Sequence, residues 1–121
     1  MKKFLFTLLF LIPLLGSSQS ALMEENKDFP DGLHVVEFNA SFNKSNEVTW
    51  LSKLSDCKTE RIDIAADARW SSEYKIVVVP TLVIFNGGEE VKRFQANIMM
   101  TMEATKKEVQ DAIDEIIMEA F

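Results

Sequence analysis

The sequence predicts an α/β fold: a four-stranded mixed β-sheet flanked by helices, in the order β-α-β-α-β-β-α. Three observations predict it. Runs rich in Val, Ile, Phe and Thr, which favour strands, alternate with runs of helical spacing. Two strand-type runs, Thr81–Phe85 and Glu89–Gln95, flank Asn86-Gly87-Gly88, a hairpin signal. The C-terminal run Met102–Ala120 puts Val109, Ala112, Ile113, Ile116 and Ile117 on one stripe at helical spacing. A strand–helix–strand unit implies a right-handed parallel crossover. The hairpin adds antiparallel partners, so the sheet is mixed, with helices on both faces.

The elements follow in chain order. Met1-Lys2-Lys3 is a basic start, Phe4–Leu15 is an almost unbroken apolar run, and Gly16-Ser17-Ser18-Gln19-Ser20 is small and polar. That pattern reads as a secretory signal over residues 1–20, cleaved after Ser18 or Ser20. The apolar run is shorter than the roughly 20 residues that span a bilayer. No cysteine sits at the junction, which argues against a lipoprotein route, and the two-lysine start suits a bacterial exported protein, periplasmic or secreted. Residues 21–121 then form one domain of ordinary size. Ala21–Gly32 is polar and ends in a turn. Leu33–Ala40 is the first strand, with Val36, Phe38 and Ala40 on one face and Val35, Glu37 and Asn39 on the other. Glu47–Leu54 reads as a helix with Val48, Leu51 and Leu54 on one stripe. Cys57–Ile64 is the second strand and Ala65–Tyr74 a short second helix. Ile76–Phe85 contains the third strand, entered at Pro80, where a missing N–H is harmless. Pro80 is also a candidate for a cis bond. Glu89–Gln95 is the fourth strand, 97–101 a loop with a Met-rich middle, and Met102–Ala120 the final helix.

The formal net charge is -6, from 13 basic and 19 acidic residues. Loss of Lys2 and Lys3 with the leader makes the remainder more acidic still. An acidic domain argues against a nucleic-acid partner.

The motif Tyr74-x-Ile76-x-x-x-Pro80-Thr81-Leu82-x-x-Phe85-x-x-Gly88 resembles the second half of a thioredoxin domain. The element order is similar to that family from about Leu33 to the C-terminus. In the family a strand of the type Val-x-Phe-Trp-Ala-x-Trp leads into Cys-x-x-Cys. Here Val36-Glu37-Phe38-Asn39-Ala40-Ser41-Phe42 leads into Asn43-Lys44-Ser45-Asn46, so Asn stands at each cysteine position. Dithiol exchange needs an attacking thiolate and a resolving thiol, and Asn supplies neither. The resemblance implies that Val79 and Pro80 face Asn43, and that backbone beside the proline pairs with extended polypeptide by strand addition. It also places the loop 95–100 beside the site, although Gln95-Ala96-Asn97 lacks the family's glycine.

Individual residues carry narrower expectations. Asn43-Lys44-Ser45-Asn46 reads best as a helix N-cap, with an anion or a polar substrate group as the alternative use of that terminus. Glu37 matches the family's buried acid and Arg61 its neighbouring lysine. They are expected to pair on one sheet face, or else both to reach solvent. Cys57, the single cysteine, reads as a packing residue or inert thiol, a bridge in a disulfide-linked dimer, or a redox thiol. His34 has no second His or nearby Cys, so neither a metal site nor any other cofactor is expected. Met99, Met100 and Met102 with Ile98 pack under the last helix, or form a partner-binding patch near Pro80.

The reading is an exported thioredoxin-like domain without the redox dithiol, binding extended polypeptide or an envelope protein through Phe42, Asn43, Lys44, Ser45, Asn46, Val79, Pro80 and Met99. The alternatives are a thiol-dependent redox protein acting through Cys57 and a structural module in a larger complex.

Overall fold

The computed structural model describes residues 28–121; the expected signal at 1–20 lies outside them. Among the described residues the four strands are β1 (Leu33–Asn39), β2 (Lys58–Asp63), β3 (Thr81–Asn86) and β4 (Glu89–Gln95), and the two α-helices are α1 (Arg69–Tyr74) and α2 (Lys106–Glu119). The sheet order is β2-β1-β3-β4. β1 runs parallel to β2 and antiparallel to β3, and β3 and β4 form the antiparallel hairpin. Ile84 pairs with Lys92 and Phe85 with Glu90, so Val91 is left as a bulge residue in the edge strand.

Strand alternation sends the buried residues of β1 and β3 to two cores. One face packs Val36, Phe38, Val83 and Phe85 against Phe29 and Tyr74. Phe29 stacks on Phe85 at 4.6 Å between ring centroids, and Tyr74 meets Phe85 edge-on at 5.4 Å, geometries that the ring quadrupoles favour. The other face packs Val35, Leu82 and Ile84 against Val109 and Ile113 of α2 and against Val48, Leu51 and Leu54.

The expected helix at Glu47–Leu54 does not form. Within that span only Leu51–Lys53 is helical, as a 3-10 turn; a second 3-10 stretch, Ser41–Asn46, precedes it, with Asn43 non-helical inside it and Glu47 extended after it. The apolar stripe is nevertheless buried where the spacing put it. What differs is the partner of the backbone. Glu37 Oε2 accepts from the Val48 N–H at 2.9 Å and Arg61 donates to the Val48 carbonyl. These side chains pair both backbone polar groups of Val48.

The remaining bounds shift by a few residues. α1 begins at Arg69 rather than Ala65, because residues 64–66 form a turn in which the Ala65 N–H donates to Asp63 Oδ1. α2 begins at Lys106 rather than Met102. Its start is fixed by a capping box in which Glu108 N–H donates to Thr105 Oγ1 at 3.1 Å and Thr105 N–H donates to Glu108 Oε1 at 2.9 Å. Arg93 ties the edge strand to the end of α1, donating to the Tyr74 carbonyl at 2.8 Å and the Lys75 carbonyl at 3.1 Å. These are among the carbonyls that a helix end leaves unpaired.

Candidate functional site

Three segments meet beyond the C-terminal end of β1: the 3-10 stretch 41–46, the segment 76–80 before β3, and the loop 96–101. Asn43 joins them. It is 3% exposed. Its Nδ2 faces Asn39 Oδ1 at 3.2 Å, the Val79 carbonyl at 3.4 Å and the Met100 carbonyl at 3.1 Å. Its Oδ1 accepts from Asn46 Nδ2 at 2.8 Å, and its own carbonyl accepts from Asn39 Nδ2 at 3.2 Å. Every contact joins a donor to an acceptor. Asn43 is therefore a clasp and not the helix cap that residue preference suggested, and no side chain caps the 3-10 stretch. The cap fails because no α-helix follows, so the free N–H groups that would recruit it are absent.

Lys44 is largely exposed and lies 3.6 Å from Glu47 Oε1. Ser45 is exposed, and Asn46 is held by Asn43. The Val79–Pro80 bond is cis. Val79 is buried, and its N–H has no hydrogen-bond acceptor among the described residues. The Val78 carbonyl accepts from Thr81 Oγ1 at 2.7 Å.

Beside the clasp lies an apolar groove of about 310 Å³, lined by Phe42, Ile64, Val77, Val79, Ile98 and Met100, with contributions from Ile76, Val78 and Asn97. Its rim is unusually bare. Phe42 is 73% exposed, Val77 77% and Ile98 97%. Met99, singled out from the sequence, is also largely exposed but does not line the groove; Met100 does. The loop carries this reversal in its backbone. Asn97 Oδ1 accepts from the Met99 and Thr101 N–H groups, and Met100 takes a left-handed conformation at φ 59°. Val77 was hidden in the sequence within the run Ile76–Val79. The one available signal was that a bend before Pro80 turns one side chain of the run outward. Met102 packs on the α2-side core, as the packing reading of the Met cluster has it.

Glu37 and Arg61 face each other in the β1–β2 register, and Arg61 Nε donates to Glu37 Oε1 at 2.8 Å. The Glu37 side chain is fully buried and Arg61 partly exposed. Cys57 is free, half-buried and packed on the α2-side core. It precedes Lys58, which pairs with His34 at one end of β1, whereas the clasp lies past Asn39 at the other end. Burial, and then the Asp56 carboxylate, push the Cys57 thiol pKa up. His34 Nε2 lies 2.7 Å from the Asp31 carbonyl. Among the described residues no cluster of His, Cys, Asp and Glu is arranged to hold a metal ion, and no helix is long and apolar enough to cross a membrane.

Comparison with solved structures decides the architecture. A mutant thioredoxin of Halobacterium salinarum superposes with a TM-score of 0.57 at 23% identity, covering 70% of this chain and 74% of that one. Schistosoma mansoni thioredoxin gives 0.57 at 22% identity, over 74% and 81%. The fold is thioredoxin-like. Malassezia sympodialis thioredoxin agrees, at 0.55 and 21% identity over 72% and 76%. No protein-family model matches the sequence, and no curated protein matches it. Within this thioredoxin-like frame the sequence has a single cysteine, Cys57, and the clasp stands where the resemblance places the dithiol.

Proposed function

We propose that this chain is an exported, thioredoxin-like binding domain that works without dithiol chemistry, taking an extended polypeptide segment or an envelope partner into the groove beside Pro80. One coincidence carries the reading. The apolar groove, with its exposed rim of Phe42, Val77 and Ile98, lies against Val79, whose N–H has no acceptor among the described residues. An unpaired N–H in a buried residue demands an acceptor, worth about 1–3 kcal/mol when supplied. A carbonyl of an added extended segment supplies it, and a groove of about 310 Å³ admits a large apolar side chain from that segment.

The test is calorimetric binding of a synthetic extended peptide with a central Leu or Phe. Val77→Glu is expected to weaken binding about tenfold or more by placing a charge on the rim. Cys57→Ser is expected to leave it unchanged. Equal affinity for wild type and Val77→Glu would remove the groove from the function. A thiol-dependent activity at Cys57 has less support, since a raised thiol pKa leaves little of the nucleophilic thiolate at neutral pH.

A further inference from the structure

The clasp occupies the place where the resemblance puts thiols, and Cys57 lies elsewhere, yet the groove still contains an oxidisable sulfur. Met100 lines it and is 38% exposed. Its backbone is fixed on both sides. The Met100 N–H donates to the Asn97 carbonyl at 2.9 Å, and its carbonyl accepts from Asn43 Nδ2 at 3.1 Å. The side chain therefore changes its chemistry without releasing the loop. Met102, two residues on, packs on the α2-side core. Met118 is more exposed than Met100 but lies on α2, where it lines a different surface.

We infer that Met100 is a modification site through which hydroperoxides switch off the groove. The inference rests on the groove being a binding site. A hydroperoxide transfers its terminal oxygen to the thioether. The O–O bond breaks and an S–O bond forms. The sulfur gives up two electrons, the terminal oxygen's proton passes to the departing oxygen, and the peroxide leaves as water or an alcohol. The product sulfoxide is polar and chiral, and reductases return it to the thioether. Once a bound ligand takes the Val79 N–H and excludes water, the sulfoxide oxygen is left in a mostly apolar lining, and burying such a group without a donor is unfavourable. Met100 thus gives the groove a reversible response to oxidants.

The experiment treats the protein with graded hydrogen peroxide, maps each methionine by peptide mass spectrometry, and measures binding of the Leu-centred peptide on the same samples. The expected order is Met99 and Met118 first, then Met100, then Met102, by exposure. Affinity is expected to fall about tenfold in step with Met100 oxidation, with the far-ultraviolet circular dichroism unchanged. Met100→Leu is expected to show the same peptide affinity before and after peroxide, whatever its starting value. Met99→Leu and Met118→Leu are expected to stay sensitive. Undiminished binding by protein oxidised at Met100, persistent sensitivity in Met100→Leu, or unfolding on oxidation would each overturn the inference. If the peptide fails to bind even the untreated protein, the groove reading itself falls and takes this one with it.

Discussion

At the scale of single residues, two buried polar side chains, Glu37 and Asn43, pair backbone groups of irregular segments. Glu37 and Arg61 together hold the N–H and carbonyl of Val48. Removing one partner leaves a buried group without its mate, which costs about 1–3 kcal/mol; removing both is milder than the sum. Denaturation of Glu37→Gln, Arg61→Met and the double variant is expected to show this coupling, and strict additivity would mean the pair does no joint work. Asn43→Ala is expected to lower stability by about 1–3 kcal/mol, because the Met100 carbonyl and Asn46 lose their partner. The sequence named Glu37, Arg61 and Asn43. The Glu37–Arg61 pairing rests on the resemblance, because alternation gives the face a residue takes but not the register between strands. The sequence mistook the job of Asn43, because Asn at the start of an apolar periodic run looks the same whether it caps a helix or bridges three loops.

At the scale of elements, strands were legible and helices less so. Fourth-strand bounds agree residue for residue, since the turn residues Asn86-Gly87-Gly88 mark one end sharply. Glu47–Leu54 has the spacing of a helix, but burial of the stripe requires only that the three apolar residues face the sheet, and 3-10 turns achieve it. The start of α2 was misplaced despite a readable signal, Thr105-x-x-Glu108. Thr105→Ala is expected to cost about 1 kcal/mol of stability in thermal or chemical unfolding. A strand-to-helix tie gives an acid response. The Arg93 hydrogen bonds hold the Glu90 carboxyl below its usual range. Burial works to raise the Asp28 pKa, but hydrogen bonds from Tyr74 and Arg69 outweigh it and lower the net value. Carboxyls with lowered folded pKa values contribute stability fully above the unfolded carboxylate range, and lose it as pH falls through the folded values. Denaturant midpoints are therefore expected to drop between pH 5 and pH 3, and to drop less in the double variant Asp28→Asn, Glu90→Gln. An identical drop in both proteins would assign the acid response to other groups.

At the scale of the whole molecule, the sheet and its two cores position a groove whose lining is mostly apolar, with no thiol among its residues. Cys57 fits that picture as a packing residue. Alkylation at neutral pH is expected to be slow in the folded protein and to accelerate on unfolding, and rapid labelling of native protein would return thiol chemistry to consideration. The groove was half legible: Phe42 and Val79 follow from the resemblance, whereas Val77 and the exchange of Met99 for Met100 depend on loop bends that no periodicity encodes. The clasp has one more consequence, for how the protein is made. Asn39-Ala40-Ser41 and Asn43-Lys44-Ser45 are both Asn-x-Ser triplets, the acceptors of oligosaccharide in a glycosylating secretory pathway. Both side-chain nitrogens donate inside the fold, and both residues are buried. A sugar on either would claim that nitrogen and demand space the interior lacks. In a host that glycosylates nascent chains, every molecule modified there is barred from this structure, and the folded product is the fraction the transferase missed.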